Sequence, residues 1–235
     1  MKTIQAATRD WYSDYYARKG ADRNSLLRNP EVLFQNLAQD AAMVRALRSI
    51  GADPGSTRVL DVGCGEGASL ITFLRLGFAP GNLYGIDLQE SRIRLAKGRF
   101  PGMNFECGDA TKLVYASESF DLVCESTMFI QIVDDELSRQ IASEMLRVTK
   151  PGGHVLLCDW RYSKPGSNAY KALTQKRILG LFRAGSETVR CGVFPGPLVP
   201  PVGRFFSRRL PWAYFLVGGF FPFLVGQVTT VLRKS

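Results

Sequence analysis

The sequence is short of the residues that metal and disulfide chemistry require. One histidine, His154, stands in 235 residues, and the five cysteines, an odd number, include no C-x-x-C pair. That composition argues against a zinc site or a disulfide framework and for reduced thiols, with Cys107, Cys124 and Cys158 in segments that read as buried strands. No metal ligand set is expected. Acidic residues also run out along the chain. Residues 1–160 carry 18 Lys+Arg against 20 Asp+Glu, whereas residues 161–235 carry 12 Lys+Arg and a single acid, Glu187. The net charge of +9 therefore resides in the last third. Such asymmetry suits an anionic acceptor, a phosphate-bearing lipid surface or nucleic acid, and equally a solvated basic face with no partner.

No internal repeat or low-complexity tract is present, and the opening MKTIQAATRDWYSDYY has no apolar stretch of signal-peptide length. Residues 210–232 lack charge and are flanked by Arg208-Arg209 and Arg233-Lys234, a pattern that superficially suits a membrane span. Pro211, Pro222, Gly218, Gly219 and Gly226 interrupt it, and its last six residues are β-branched enough to read as a strand. A core helix followed by a terminal strand is the expectation there.

What is present is a regular alternation. An aromatic helix is expected over residues 5–20, with Tyr12, Tyr15 and Tyr16 either a lid or core packing. A second helix starts at Asn29-Pro30 and stops at Gly51, carrying Val32, Leu33, Leu37, Ala41, Val44 and Leu47 at helical spacing. Compact apolar runs then predict strands at 57–62, 82–87, 103–106, 119–125 and 153–159. Helices are expected at 67–76, 89–99 and 134–149, with a turn of helix near 110–114. Buried strands alternating with helices define a doubly wound α/β sheet. After Asp159 the rhythm changes to a helix at 174–183, a strand near 188–193, a helix near 204–216 and a strand near 226–232. The organisation expected is an N-terminal helical cap over 1–52, an α/β core over 53–162, and acceptor-side helices and closing strands over 163–235.

The sharpest local signal is Val59-Leu60-Asp61-Val62-Gly63-Cys64-Gly65-Glu66-Gly67, a strand running into a glycine-rich turn. Glycines permit unusual backbone angles and close approach of a ligand. Gly63-x-Gly65-x-x-Ala68 alone also fits a nicotinamide fingerprint. A dinucleotide places pyrophosphate on the helix N-terminus, whereas Asp61 and Glu66 around this turn suit a cation better. Asp87, ending the second strand, can accept from both hydroxyls of a ribose, or cap the following helix. Asp109 and Ala110, closing the third strand, suit the edge of an adenine.

The ordered set VLDVGCGEG, GIDL, GDA, SFDLV and EMLRVTKPGGHVLL resembles the class I S-adenosylmethionine (SAM)-dependent methyltransferases over residues 57–159. The resemblance implies a Rossmann-like, seven-stranded, mostly parallel sheet with an antiparallel C-terminal hairpin, and SAM as cofactor. It places Asp61, Gly63 and Gly65 around the methionine moiety, Asp87 at the ribose, and Asp109 with Ala110 at the adenine, with Cys64, Leu88 and Glu125 also among the cofactor-binding residues. Glu125 would border the methyl-transfer site, and Pro151-Gly152-Gly153 would turn into the fifth strand. Asp159 and Glu125 are the expected general bases; His154 lies at the wrong end of its strand. No N-P-P-Y tetrad follows the fourth strand, where Glu125-Ser126-Thr127-Met128 stands, and no RNA-binding appendage is visible, so a nucleic-acid acceptor is not expected.

The tail (Asp159-x-Arg161-Tyr162, Ile178-Leu179-x-Leu181-Phe182, Pro197-Leu198-x-Pro200-Pro201) resembles small bacterial methyltransferases of polysaccharide and glycolipid gene clusters. That implies O-methylation of a sugar, glycolipid or other small hydroxylated metabolite, in the cytoplasm or peripherally at the inner membrane face through the basic C-terminal third. The alternatives are N-methylation of a small natural product, a nicotinamide-dependent oxidoreductase, and a SAM-fold subunit that only binds a partner. The sequence does not set an oligomeric state.

Overall fold

A computed structural model describes residues 25–182 and 188–235. The aromatic helix expected over 5–20, and with it Tyr12, Tyr15 and Tyr16, lies outside the described residues. The described chain begins with α1 (Pro30–Ser49), then β1 (Val59–Val62), α2 (Leu70–Arg75), β2 (Leu83–Asp87), α3 (Glu90–Arg99), β3 (Asn104–Cys107) and β4 (Phe120–Ser126). It continues with α4 (Asp135–Val148), β5 (Thr149–Trp160), α5 (Gln175–Phe182), β6 (Thr188–Pro195), α6 (Pro200–Arg209), α7 (Tyr214–Phe220) and β7 (Gln227–Lys234).

The seven strands form one sheet in the order β3-β2-β1-β4-β5-β7-β6. Strands β1 to β5 are parallel, and β7 inserts antiparallel between β5 and β6. The doubly wound, mostly parallel sheet with an antiparallel C-terminal pair is thus the fold that the sequence implied.

Alternation along the central strands feeds two cores. Leu60, Val62, Val123, Val155 and Leu157 face α4 and α5, where Ile141, Met145, Leu146, Ile178 and Phe182 are buried. Val59, Leu122, Cys124, Leu156 and Cys158 face the opposite side, against Met43, Leu47, Phe73 and Ile93. Both faces being covered is what makes these strands read as continuous apolar runs. Helix starts follow local chemistry. Asn29 accepts from the Glu31 amide at 3.2 Å ahead of Pro30, and Asp134 accepts from the Glu136 and Leu137 amides at 2.8 and 3.3 Å.

Four expectations need correction. Cys107 is exposed, not buried, because β3 is an edge strand that turns only Phe105 inward. Residues 110–114 form turns without a helix. Pro151-Gly152-Gly153 does not precede the fifth strand but lies within it; Thr149 pairs with Phe120, and His154 already pairs with Leu122, so the excursion is absorbed as a register irregularity. The single helix near 204–216 is two, α6 and α7, parted by a 3-10 turn at Pro211–Ala213. Pro211 cannot donate to a continuing α-helical ladder. Among the described residues, no helix is long and apolar enough to cross a membrane.

Gly85 of β2 is closely enclosed. A Cβ there would lie 2.7 Å from Cys64 Sγ and 2.8 Å from Phe105 Cδ1. Gly85→Ala should therefore cost about 1–3 kcal/mol through overpacking, read as a lowered urea midpoint with an unchanged slope.

Candidate functional site

The carboxyl ends of β1, β2, β3 and β4 open on a cleft of about 300 Å³. It is lined by Gly63, Asp87, Leu88, Asp109 and Ala110 together with Ser126, Thr127 and Met128. Clefts at this edge are where open α/β sheets bind ligands.

Asp87 organises the near wall. Its Oδ2 accepts from the Gly65 amide at 2.9 Å and its Oδ1 from the Gln89 amide at 2.8 Å, so one carboxylate fixes both the glycine turn and the approach to α3. The two readings of Asp87 are not exclusive: it holds the start of α3 and also lines the cleft. The Gly63 and Cys64 amides both donate to the Ile86 carbonyl, at 2.8 and 3.0 Å, folding the turn across the end of β2. Gly63 has φ +76°, and a Cβ on it would meet Met128 Sδ at 3.0 Å. Only glycine leaves that wall open. Asp109 Oδ1 accepts from the Thr111 amide at 2.9 Å, which holds the loop after β3 in place.

A second cavity of about 160 Å³ lies between α1, the turn into α2 and the ends of β1 and β4. Asp61 and Glu125 line it, and Ser126 lines both cavities. Gln39 of α1 donates to Ser126 Oγ at 2.9 Å. Asp61 is buried, accepts from Ser69 Oγ and from Cys124 Sγ, and burial pushes its carboxyl up to about 7. Cys64 is buried beneath the turn, outside both cavities, and burial drives its thiol up.

Glu125 Oε2 accepts from the Met128 amide at 2.9 Å, while Oε1 is buried with no hydrogen-bond partner. Burial, then the neighbouring Asp159, holds its carboxyl well above the usual range. Asp159 is itself buried; Oδ2 accepts from the Ile130 amide at 2.8 Å and Oδ1 from the Trp160 amide at 2.7 Å. Burial raises it to about 7. The structure thus brings Asp159 next to Glu125 but lines neither cavity with it. His154 pairs with Arg233 inside the sheet, and desolvation followed by that charge lowers its pKa.

The far wall was not foreseen from the sequence. Thr127, a β-branched residue, sits at φ +58° where the chain leaves β4, a conformation that must be held by its surroundings. Its amide donates to the Cys158 carbonyl at 3.0 Å and its carbonyl accepts from Gln131 Nε2 at 2.5 Å, and the segment beyond it is braced from the C-terminal third. Arg177 of α5, with only 7% of its side chain exposed, donates to the carbonyls of Phe129, Ile132 and Lys171 at 3.1, 2.6 and 2.8 Å. It also reaches Asp135 Oδ1 at 3.1 Å and Ser138 Oγ at 3.0 Å. Other cations of that third are likewise engaged inside the fold. Arg161 donates to the Val225 carbonyl, Lys171 to Asp135, Lys234 to the Leu146 and Thr149 carbonyls, and Arg204 to Glu31.

Residues 59–153 match the model of a family described as a methyltransferase domain. The demethylmenaquinone methyltransferase of Renibacterium salmoninarum is 34% identical over 114 residues, covering 48% of this chain and 45% of that protein. The phthiotriol/phenolphthiotriol dimycocerosates methyltransferase of Mycobacterium tuberculosis is 34% identical over 117 residues, covering 46% and 40%. The match therefore spans less than half the length of either relative. Over 97% of this chain and 87% of the other, the fold resembles the Burkholderia thailandensis 1,6-didemethyltoxoflavin-N1-methyltransferase solved with 1,6-didemethyltoxoflavin and S-adenosylhomocysteine, at a TM-score of 0.64 and 16% identity.

Arg177→Met should cost about 3 kcal/mol, since the Ile132 and Lys171 carbonyls lose their donor and Asp135 and Ser138 lose a partner; urea denaturation reads this. The pH dependence has a defined sign. Asp159, near 3.8 in an unfolded chain and about 7 here, keeps a proton in the fold that the unfolded chain releases. Its contribution to stability thus falls as pH rises from about 4 to about 7 and is level above that. Asp61 acts in the same window. In Asp159→Asn, thermal melts between pH 4 and 8 should show a shallower decline than in the parent protein.

Proposed function

We propose that this chain, whose core is a class I SAM-dependent methyltransferase domain, transfers a methyl group to a hydroxyl of a lipid-linked glycan, glycolipid or similar small hydroxylated metabolite. The observation that carries the reading is the joint placement of Gly63, Asp87, Asp109 and Ala110 around one cleft, with Glu125 buried at the adjoining cavity. Relatives named for a quinone and for dimycocerosates support a lipid-like acceptor.

The residues fit the cofactor chemically. An open glycine wall at Gly63, a carboxylate at Asp87 for ribose hydroxyls, and Asp109 with Ala110 for an adenine edge are the groups an adenosine needs. Asp61, Gly63 and Gly65 would surround the methionine part. SAM supplies a methyl group already activated on a sulfonium, so positioning and exclusion of water account for much of the rate.

An alcohol acceptor must still lose its proton. Glu125 is the better placed of the two expected bases: Oε1 has no partner to surrender, and a raised pKa matches a group that takes up a proton during turnover. Asp159 acts on Glu125 through its charge and through the Ile130 amide it holds. An amine acceptor would need less from either carboxylate.

With methyl-labelled SAM and a bacterial extract, label should enter the organic-solvent fraction. Label confined to the aqueous fraction would remove the lipid-linked acceptor. Glu125→Gln should lower kcat/KM on the order of 10²-fold while SAM affinity changes little. Asp87→Ala should weaken SAM on the order of tenfold by titration calorimetry. Unchanged SAM binding in Asp87→Ala would remove the assignment of the cleft, and unchanged turnover in Glu125→Gln would favour N-methylation.

A further inference from the structure

Between β6 and β7 the chain makes an insertion, α6, α7 and their flanking 3-10 turns, that has two apolar faces. One face is accounted for: Tyr214 and Val217 of α7 are buried with Leu198, Val225 and Val228 against Ala38 and Phe34 of α1. The other is not. Trp212 is 73% exposed, Phe220 76% and Phe223 63%, and Phe215, Leu216 and Phe221 are about half exposed. Six large apolar side chains within twelve residues form a cluster far denser than the scattered exposed leucines of an ordinary surface.

Topology places this face. β7 runs antiparallel to β5, and Gln227 pairs with Trp160, so the insertion stands at the carboxyl end of β5, the edge on which the cleft opens. Arg161 fixes it there by donating to the carbonyls of Pro222 and Val225, and Tyr162 Oη donates to the Phe223 carbonyl at 2.9 Å. The aromatic residues are thus displayed on an anchored scaffold.

Charge indicates what covers it. Arg208 and Arg209 occupy the last turn of α6 immediately before the apolar stretch; Arg204, one turn earlier, is paired with Glu31 of α1. No Asp or Glu follows Glu187 in the sequence. Aromatic side chains directly following two arginines, in a stretch without acidic residues, match the interface of a bilayer rich in anionic headgroups: rings enter the headgroup–acyl boundary and guanidiniums meet phosphates.

We infer that residues 204–223 are a peripheral docking surface for an anionic phospholipid membrane, set on the same edge of the sheet as the methyl-transfer cleft. The inference stands apart from the catalytic reading, since a vesicle assay needs neither SAM nor acceptor.

The test is co-sedimentation of the full chain with phosphatidylcholine vesicles, pure or carrying about a third phosphatidylglycerol, at about 50 and about 500 mM salt. The protein should bind the anionic vesicles at low salt and bind neutral ones more weakly. The W212S/F220S variant should lose on the order of tenfold in vesicle affinity, while its thermal midpoint stays within about 2 °C and its SAM binding is unchanged. The R208Q/R209Q variant should lose the preference for anionic vesicles and most of the salt dependence. Absence of binding to anionic vesicles, or equal binding by W212S/F220S, would overturn the inference. So would a dimer that dissociates in W212S/F220S, because the face would then belong to a second copy of the chain.

Discussion

The far wall of the cleft leans on one buried guanidinium, that of Arg177, shared among three backbone carbonyls and two side chains. The segment from Thr127 to Asp134 has almost no regular structure of its own, only a short 3-10 turn at Phe129–Gln131. Most of its carbonyls find donors within the segment or on Lys171 and Ser138, while that of Ile132 accepts from Arg177, which adds a second donor at Phe129. Arg177 supplies several at fixed angles from a planar fork, which a lysine could not do. In that segment the Met128 and Ile130 amides point at Glu125 and Asp159, and Thr127, at φ +58°, is held by bonds to Cys158 and Gln131.

The price of this arrangement is electrostatic. Asp61, Glu125 and Asp159 are all nearly inaccessible to solvent at the same ends of β1, β4 and β5. Their pKa values rise because removing a carboxylate from water disfavours its charge and because Glu125 feels its neighbours. No cation neutralises them by direct pairing among the described ion pairs. A core selected for stability alone would place apolar groups there, so the carboxyls are retained against the fold's own interest.

The near half of the cleft was legible because its logic is local. Glycines, a strand end and Asp87 lie within 25 residues of one another, and their spacing alone implies a turn that a second strand's carboxylate can hold. The far half depends on partners widely separated in sequence: Arg177 meets carbonyls 45 and 48 residues earlier, and a carbonyl has no identity in a sequence. The same blindness affected the basic C-terminal third, read as a single pool of charge. In the fold, Arg161, Lys171, Arg177, Arg204 and Lys234 have internal acceptors, while Arg208 and Arg209 stand at the end of α6 beside the apolar stretch. Cys107 and the Pro211 break were missed for a simpler reason: whether a strand lies at an edge, and whether a proline ends a helix or sits in a turn, depends on neighbours.

The position of β7 in the sheet has a consequence for how the molecule comes together. It is last in sequence yet lies between β5 and β6, with β6 bonded to it alone. Residues 188–226 therefore have no sheet to join until residues 227–234 have been made and have found β5. During synthesis β5 would stand as an open edge, a template for wrong pairing, and the late, long-range closure is the step at which this chain is most in need of protection.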